Sequence, residues 1–140
     1  MRKASDPLIS LVVIVLIVIA DQLIKLIFVK YQFLSTFCNQ GIGFGIEFTK
    51  ASSILFSSVA LVVVASALIY LIVKKLKREL VFPLTLVTAG ALSNLLDRII
   101  RDCVVDFINL KIWPSFNLAD AIISIGLIWV VIILFSRPDS

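Results

Sequence analysis

The stretch Val104–Asp120, which reads VVDFINLKIWPSFNLAD, leads from an apolar loop into the last long apolar segment of the chain. It carries two carboxylates, Asp106 and Asp120, and both have apolar neighbours. A carboxylate in apolar surroundings is costly to keep ionised unless other polar groups face it. We therefore expect polar residues from the other apolar segments to meet this stretch at one place in the fold.

The composition indicates a membrane protein. Of the 140 residues, 61% are hydrophobic, whereas a soluble domain is about half apolar. A water-soluble core cannot absorb so much apolar surface in a chain of this size, so the surplus is expected to face lipid. The length predicts one domain, covering residues 1–140.

The composition also excludes several classes of site. The chain has no histidine, which excludes imidazole catalysis and histidine-based metal sites. Its two cysteines, Cys38 and Cys103, are too few for a cysteine-rich metal site, and we expect neither a metal nor a cofactor. The basic residues cluster at the ends of apolar segments and form no stripe, so we expect no nucleic-acid partner.

Four apolar segments are long enough to cross a bilayer. At about 1.5 Å per residue, about 20 residues of helix span the ~30 Å hydrocarbon layer. The first segment is too long for the apolar core of a secretory signal, and no small-residue cleavage site follows it. The sequence therefore predicts an all-α membrane protein, a four-transmembrane-helix bundle. Its spans are expected at about 8–29, 54–73, 80–100 and 116–136.

A small extracytoplasmic β-region is predicted in the loop between the first two spans. Alternating residues over 33–39 and over 44–48 are typical of short strands. Between them lies N-Q-G-I-G-F, residues 39–44, in which Asn39 and Gly41 are candidate site residues. Glycine permits tight turns and close approach of the backbone, and a hairpin turn explains the motif equally well.

The basic residues predict the orientation in the membrane. Lysine and arginine are dense at 74–78, and cytoplasmic loops carry such an excess. The total count divides almost evenly between the two sides, so the prediction depends on this cluster. With Arg2 and Lys3 on the same side, both termini are expected in the cytoplasm and the two long loops outside.

The first span carries an acid and a base. Asp21 and Lys25 lie one helical turn apart near its end and can pair. A lysine that snorkels to the interface beside a neutralising partner is the alternative. The second span has no ionisable residue and is expected to serve only as scaffold.

Polar residues also mark the ends of the third and fourth spans. Asn94, Asp97 and Arg98 share one helix face, and pairing of Asp97 with the arginine one turn further on is a structural alternative. Asn117 and Asp120 have the spacing of a capping box. A purely structural role for these two is therefore an alternative to a functional one.

All of these polar residues fall at the outer third of the predicted bundle, so we expect a single polar site open to the outer leaflet. Two carboxylates held close together tend to share one proton. One can then act as a base toward water while the protonated one polarises a carbonyl group. Asp106 and Asp120 are the natural pair for this aspartic peptidase chemistry.

Two other functions remain open on the residues alone. Aspartate and lysine inside membrane spans also mark ion pathways, so a small transporter or proton-conducting protein is the main alternative. A non-catalytic membrane subunit, whose carboxylates only hold helices together, is the other.

Five motifs in this chain resemble those of the bacterial lipoprotein signal peptidases, also called signal peptidase II. They occur in the order of that family and cover nearly the whole chain. One departure is Ser93, which stands where the family commonly has a glycine. The motifs are D-Q-L-I-K at 21–25, N-Q-G-I-G-F at 39–44, G-A-L-S-N-L-L-D-R at 90–98, V-V-D-F at 104–107 and F-N-L-A-D at 116–120.

The resemblance implies a membrane-embedded aspartic endopeptidase of the bacterial inner membrane, with its site toward the extracytoplasmic face. It implies cleavage of a signal peptide just before a cysteine that carries a diacylglyceryl group, with Asp106 and Asp120 as the catalytic residues. The implied partners are lipid-modified prolipoproteins, membrane lipids and globomycin-type inhibitors, and we expect a monomer. The family's supporting polar residues fall on Asp21, Lys25, Asn39, Asn94, Asp97, Arg98 and Asn117, and Gly41 is a further candidate for binding substrate or supporting the pair.

The two cysteines are both expected on the outer side, where a disulfide is chemically possible. We nevertheless expect Cys38 and Cys103 to be free thiols.

Overall fold

The computed structural model describes residues 6–31, 36–41 and 49–136, and these form four helices and two short strands. All four helices are long and apolar enough to span a membrane, which confirms the predicted all-α membrane bundle. The elements in chain order are α1 (Pro7–Tyr31), β1 (Phe37–Asn39), α2 (Lys50–Lys74), α3 (Arg78–Arg101), β2 (Val104–Asp106) and α4 (Leu118–Phe135).

Capping side chains set the starts of two of the helices, α2 and α4. The largest difference from a predicted span is at α2, which begins at Lys50, because the Thr49 side chain accepts a hydrogen bond from the Ser52 N–H and caps the helix. The fourth helix begins after Asn117, which caps it as the sequence predicts. Hydropathy alone cannot locate these caps, since capping residues are polar and lie outside the apolar run.

Helix α3 lies at the centre of the bundle and packs against α1, α2 and α4. Its apolar stretch is 61% buried, against 6% to 11% in the other three helices, and it is also the least hydrophobic of the four. Helices that face lipid must present apolar side chains, whereas a helix surrounded by protein can carry polar ones. The central position therefore allows α3 to carry the polar residues of the third predicted span.

The two strands form one antiparallel sheet, in which Phe37 pairs with Asp106 and Asn39 pairs with Val104. The predicted β-region is confirmed at residues 37–39. The sequence did not indicate its partner strand, which follows α3. The second predicted run, 44–48, lies outside the described residues, as do residues 32–35.

A disulfide joins Cys38 of β1 to Cys103, which comes just before β2, and their Cα atoms are 5.4 Å apart. The prediction of two free thiols is therefore wrong. The error arose because the pairing of β1 with β2 was not foreseen. The register sets Cys38 opposite Val105, two residues from Cys103, and the Cα atoms of the two cysteines come within the distance that a disulfide requires.

Helix α4 approaches α3 closely at Gly90. A Cβ atom added at this glycine would lie 2.6 Å from the carbonyl oxygen of Ala119 and 2.6 Å from Cγ1 of Ile123. Gly126 permits a similar approach further along α4, where a Cβ would lie 2.8 Å from the carbonyl oxygen of Pro83. The start of α4, which carries Asp120, is thus held against α3 by direct backbone packing.

We expect the substitution Gly90→Ala to destabilise the protein by about 1–3 kcal/mol, the usual cost of inserting an extra methyl group into a packed core. The readout is the midpoint of thermal unfolding in detergent. The control is Ala67→Leu, which adds bulk at an exposed position of α2. Equal midpoints for Gly90→Ala and the parent protein would contradict the close packing described here.

Candidate active site

The ammonium group of Lys25 lies between two carboxylates at the end of the bundle where α1 and α3 finish. Its Nζ is 2.7 Å from Oδ2 of Asp21 and 2.7 Å from Oδ2 of Asp97. All three side chains are fully buried. Pairing of Asp21 with Lys25 is confirmed, but a snorkelling lysine is excluded because the ammonium group does not reach the surface.

The two carboxylates connect this ion triad to other elements. Oδ1 of Asp21 accepts a hydrogen bond from the backbone N–H of Ala119, in the first turn of α4, at 3.0 Å. Its Oδ2 accepts from the Ser93 hydroxyl at 2.6 Å. Oδ2 of Asp97 accepts from the backbone N–H of Val105 in β2 at 3.2 Å. The triad therefore fixes α1, α3, α4 and β2 relative to one another.

Asp97 also pairs with Arg101, as the structural alternative for that position predicted. Its Oδ1 accepts a further hydrogen bond from Nε2 of Gln22 at 2.8 Å. Neither Gln22 nor the Ser93 hydroxyl was among the site residues predicted from the sequence. Their positions next to Asp21 and Asn94 could have indicated their involvement. A polar side chain beside another polar residue within a span is available to pair with the groups buried there.

Asp106 is buried on β2 and receives two amide hydrogen bonds. Nδ2 of Asn39 donates to its Oδ2 at 3.0 Å, and Nδ2 of Asn117 donates to its Oδ1 at 2.9 Å. Burial raises the pKa of Asp106 from 3.8 to about 6. The nearby charge of Asp120 raises this pKa further, while the two amides and the charge of Lys25 oppose the increase.

Asp120 forms the predicted capping box with Asn117. The backbone N–H of Asp120 donates to Oδ1 of Asn117 at 2.9 Å, and the backbone N–H of Asn117 donates to Oδ2 of Asp120 at 3.2 Å. The remaining oxygen of Asp120, Oδ1, accepts from Nδ2 of Asn94 at 2.7 Å. Asn117 therefore contacts both Asp106 and Asp120.

Arg98 and Gly41 complete the network from the side of β1. Nη2 of Arg98 donates to the Gly41 carbonyl at 2.9 Å, and the Gly41 N–H donates to Oδ1 of Asn39 at 2.9 Å. Nη1 of Arg98 donates to the Asn94 carbonyl at 3.3 Å. Its Nε is buried and has no hydrogen-bond partner among the described residues.

One network of ion pairs and hydrogen bonds connects all ten residues that the sequence analysis selected. Six of them line a cavity of about 620 Å³, and the other four are buried behind that wall. The six are Asn39, Gly41, Asn94, Arg98, Asp106 and Asp120.

The rest of the cavity wall is mostly apolar and comes from several elements. Phe37, Trp113 and Phe116 lie on the strand and loop side, while Phe56 of α2 and Ile123 of α4 lie between the helices. The second span was expected to serve as scaffold, and α2 also contributes part of the cavity wall. A cavity with an apolar wall and a carboxylate pair can hold an extended apolar chain beside groups that exchange a proton.

Among residues 6–31, 36–41 and 49–136, no cluster of three or more histidine, cysteine, aspartate or glutamate side chains is arranged to hold a metal ion. The two acidic groups of the cavity, Asp106 and Asp120, instead accept hydrogen bonds from the side-chain amides of Asn39, Asn94 and Asn117.

The fold and the cavity together define a class of protein, a multi-pass membrane protein with a carboxylate-lined cavity at one end of its helix bundle. The family model described as signal peptidase (SPase) II matches residues 13–136. The chain therefore belongs to the signal peptidase II family, which is a family of peptidases.

Individual relatives agree with this assignment. The chain is 31% identical to the lipoprotein signal peptidase of Halothermothrix orenii over 139 residues, which cover 90% of this chain and 94% of that protein. It is 38% identical to the lipoprotein signal peptidase of Syntrophus aciditrophicus in an alignment of 109 positions, which covers 71% of this chain and 66% of the relative. It also resembles a bacterial membrane enzyme determined by the in meso method at 2.3 Å, with a TM-score of 0.76 and 28% identity. That alignment covers 91% of this chain and 87% of the other.

The raised pKa of Asp106 predicts how stability depends on pH. Between about pH 4 and pH 6, the folded protein retains a proton on Asp106 that the unfolded chain has released, so stability falls as pH rises through this window. The substitution Asp106→Asn removes this decrease in stability with rising pH, because the asparagine amide cannot ionise. The variant should therefore gain stability relative to the parent between pH 4 and pH 7, by at most about 3 kcal/mol.

The measurement is the difference in thermal midpoint between variant and parent at several pH values. The control is Asp102→Asn, which makes the same change at an exposed aspartate. A difference for Asp106→Asn that does not change with pH would mean that the pKa of Asp106 is not raised.

Proposed function

We propose that this chain is a membrane-embedded aspartic endopeptidase that removes the signal peptide from prolipoproteins. The substrate carries a diacylglyceryl group on its cysteine, and the cut falls just before that residue. The observation that carries the proposal is that Asp106 and Asp120 line one cavity and both bind Asn117. The relatives that are named lipoprotein signal peptidases support the choice of substrate.

The proposed chemistry uses the two aspartates as a pair that shares one proton. The charge of Asp120 opposes ionisation of Asp106, and a pKa near 6 keeps Asp106 partly protonated close to neutral pH. The ionised member takes a proton from a water molecule as that water attacks the scissile carbonyl. The protonated member donates a hydrogen bond to the carbonyl oxygen, and a proton then passes to the leaving nitrogen.

The proposed substrate contacts follow from the groups that the cavity leaves available. The buried Nε–H of Arg98 has no partner among the described residues and belongs to a side chain of the cavity wall. A backbone carbonyl of a bound peptide satisfies such a donor. The apolar wall that includes Phe56 and Ile123 suits the apolar part of a signal peptide, and we expect globomycin-type inhibitors to occupy the same cavity.

We further propose that the protein lies in the bacterial inner membrane as a monomer, with the cavity toward the extracytoplasmic face and both termini in the cytoplasm. Two observations support this orientation. The Cys38–Cys103 disulfide is at the same end of the bundle as the cavity, and disulfides persist in oxidising compartments outside the cytoplasm. The basic cluster at 74–78 lies between α2 and α3 at the other end.

Replacing either aspartate tests the proposed pair. We expect Asp106→Asn and Asp120→Asn each to lower the rate of prolipoprotein cleavage by at least about a hundredfold, because a positioned acid or base contributes about that much or more. The assay is cleavage of a diacylglyceryl-modified prolipoprotein in detergent, followed by the change in substrate mass.

The matched control is Asp102→Asn, which should cleave at the parent rate. Asp102 is exposed and has a φ of 64°, a conformation that asparagine adopts readily. Near-normal cleavage by either active-site variant would rule out the pair. Unfolding of Asp120→Asn in the same detergent would instead favour a non-catalytic subunit whose carboxylates hold helices together.

Arg98 is tested by comparing two substitutions. Arg98→Lys retains a positive charge but loses the Nε–H and the planar fork, so we expect a KM increased by about tenfold, the loss of one charge-assisted hydrogen bond. Arg98→Ala should have at least as large an effect on KM. If Arg98→Lys has the parent KM, then Nε does not bind the substrate and only the charge matters.

A further inference from the structure

The disulfide lies directly beside the residues that hold Asp106. Cys38 precedes Asn39, whose amide donates to Asp106 at 3.0 Å, and Cys103 lies three residues before Asp106. The disulfide therefore joins the strand that donates this hydrogen bond to the strand that accepts it.

The strand pairing alone is a weak restraint on Asn39. β1 and β2 are three residues each, and two short strands are marginally stable on their own. Among the described residues outside this segment and β2, two donate hydrogen bonds to segment 36–41: the Ser53 hydroxyl donates to the Gln40 carbonyl and Arg98 donates to the Gly41 carbonyl. Both contacts come after Asn39 in the chain, whereas Cys38 restrains the residue before it.

The other strand is restrained differently. The backbone N–H of Val105 in β2 donates to the buried carboxylate of Asp97, so β2 is attached to α3 independently of β1. Breaking the disulfide should therefore leave Asp106 in place and release Asn39 from it.

We propose that Cys38 and Cys103 are positioning residues, whose disulfide holds the Asn39 amide against Asp106 and makes cleavage depend on its oxidation state. This inference rests on the proposed function. Neither sulfur needs to touch the substrate, because the effect passes through Asn39.

The redox step is an ordinary thiol–disulfide exchange with a dithiol. One thiolate of the dithiol attacks the sulfur of Cys38, which is on an exposed residue, while Cys103 is buried at 4% exposure. The Cys38–Cys103 bond breaks as a mixed disulfide forms, and the second thiolate then releases Cys38. Two electrons and two protons pass to the protein, which ends with two thiols, and the dithiol becomes a cyclic disulfide.

Loss of the Asn39 hydrogen bond should also change the pH dependence. The groups that face Asp106 are the amides of Asn39 and Asn117 and the charges of Asp120, Lys25 and Arg98. The Asn39 hydrogen bond lowers the pKa of Asp106, so its loss raises that pKa further. The pH–rate profile of the coupled pair should then move to higher pH.

The test compares the oxidised and the dithiol-reduced parent protein on a diacylglyceryl-modified prolipoprotein. We expect reduction to lower kcat by about tenfold to a hundredfold, the effect of a slight misplacement of a reacting group, and to shift the pH–rate profile upward. The lipidated cysteine of the substrate is a thioether, which a dithiol does not reduce. Cys38→Ser with Cys103→Ser should match the reduced parent and should not respond to the dithiol.

A second comparison asks whether the disulfide acts through Asn39. In the variant Asn39→Ala, reduction should cause little further loss of kcat, because the hydrogen bond that it disturbs is already absent. An equal loss in Asn39→Ala and in the parent would overturn the inference, as would unchanged kcat and pH profile on reduction of the parent. Absence of cleavage by the oxidised parent would instead contradict the proposed function, and this outcome is distinct from the others.

Discussion

The arrangement depends on the buried ammonium group of Lys25 between the carboxylates of Asp21 and Asp97. Removing one member of a buried ion pair typically costs about 3–5 kcal/mol, because the remaining charge has no water to solvate it. Lipid around the bundle makes such solvation harder still. The triad therefore behaves as a single unit, and it joins α1 to α3 by ion pairs and to α4 by the hydrogen bond from Ala119.

The start of α4 shows that a structural and a functional role can reside in the same atoms. Asn117 and Asp120 form a complete capping box, as the structural alternative for these two residues predicts. The same Asn117 side chain also donates to Asp106, and Oδ1 of Asp120, the carboxylate oxygen outside the capping box, accepts from Asn94. A cap holds its carboxylate in one rotamer at a helix N-terminus, where the dipole favours negative charge. In the proposed peptidase, this rigidity would position one member of the catalytic pair.

The sequence was sufficient to predict the four helices, because a bilayer demands a minimum apolar length that few other structures need. It also indicated which polar residues meet, since a polar group inside a span requires a partner. It could not predict which strand pairs with β1, because the partner Val104 is 65 residues from Asn39 and three-residue strands carry little pattern. The incorrect prediction for Cys38 followed from that pairing. The position of Phe56 in the cavity wall could not be predicted, because an apolar residue that lines a cavity cannot be distinguished in the sequence from one that faces lipid.

The hydrogen-bond inventory of the cavity gives the strongest physical reason to regard it as a binding site. In low-dielectric surroundings each unsatisfied donor or acceptor is costly, so a purely structural network tends to satisfy all of its members. Within the described residues, the Nε of Arg98 is the buried side-chain polar atom without a partner, although its two terminal nitrogens are both bonded. These bonds fix the guanidinium plane, so Nε–H cannot turn away to find another acceptor. A bound peptide carbonyl would remove this cost, and part of the proposed substrate affinity would then come from satisfying a donor that has no partner within residues 6–31, 36–41 and 49–136.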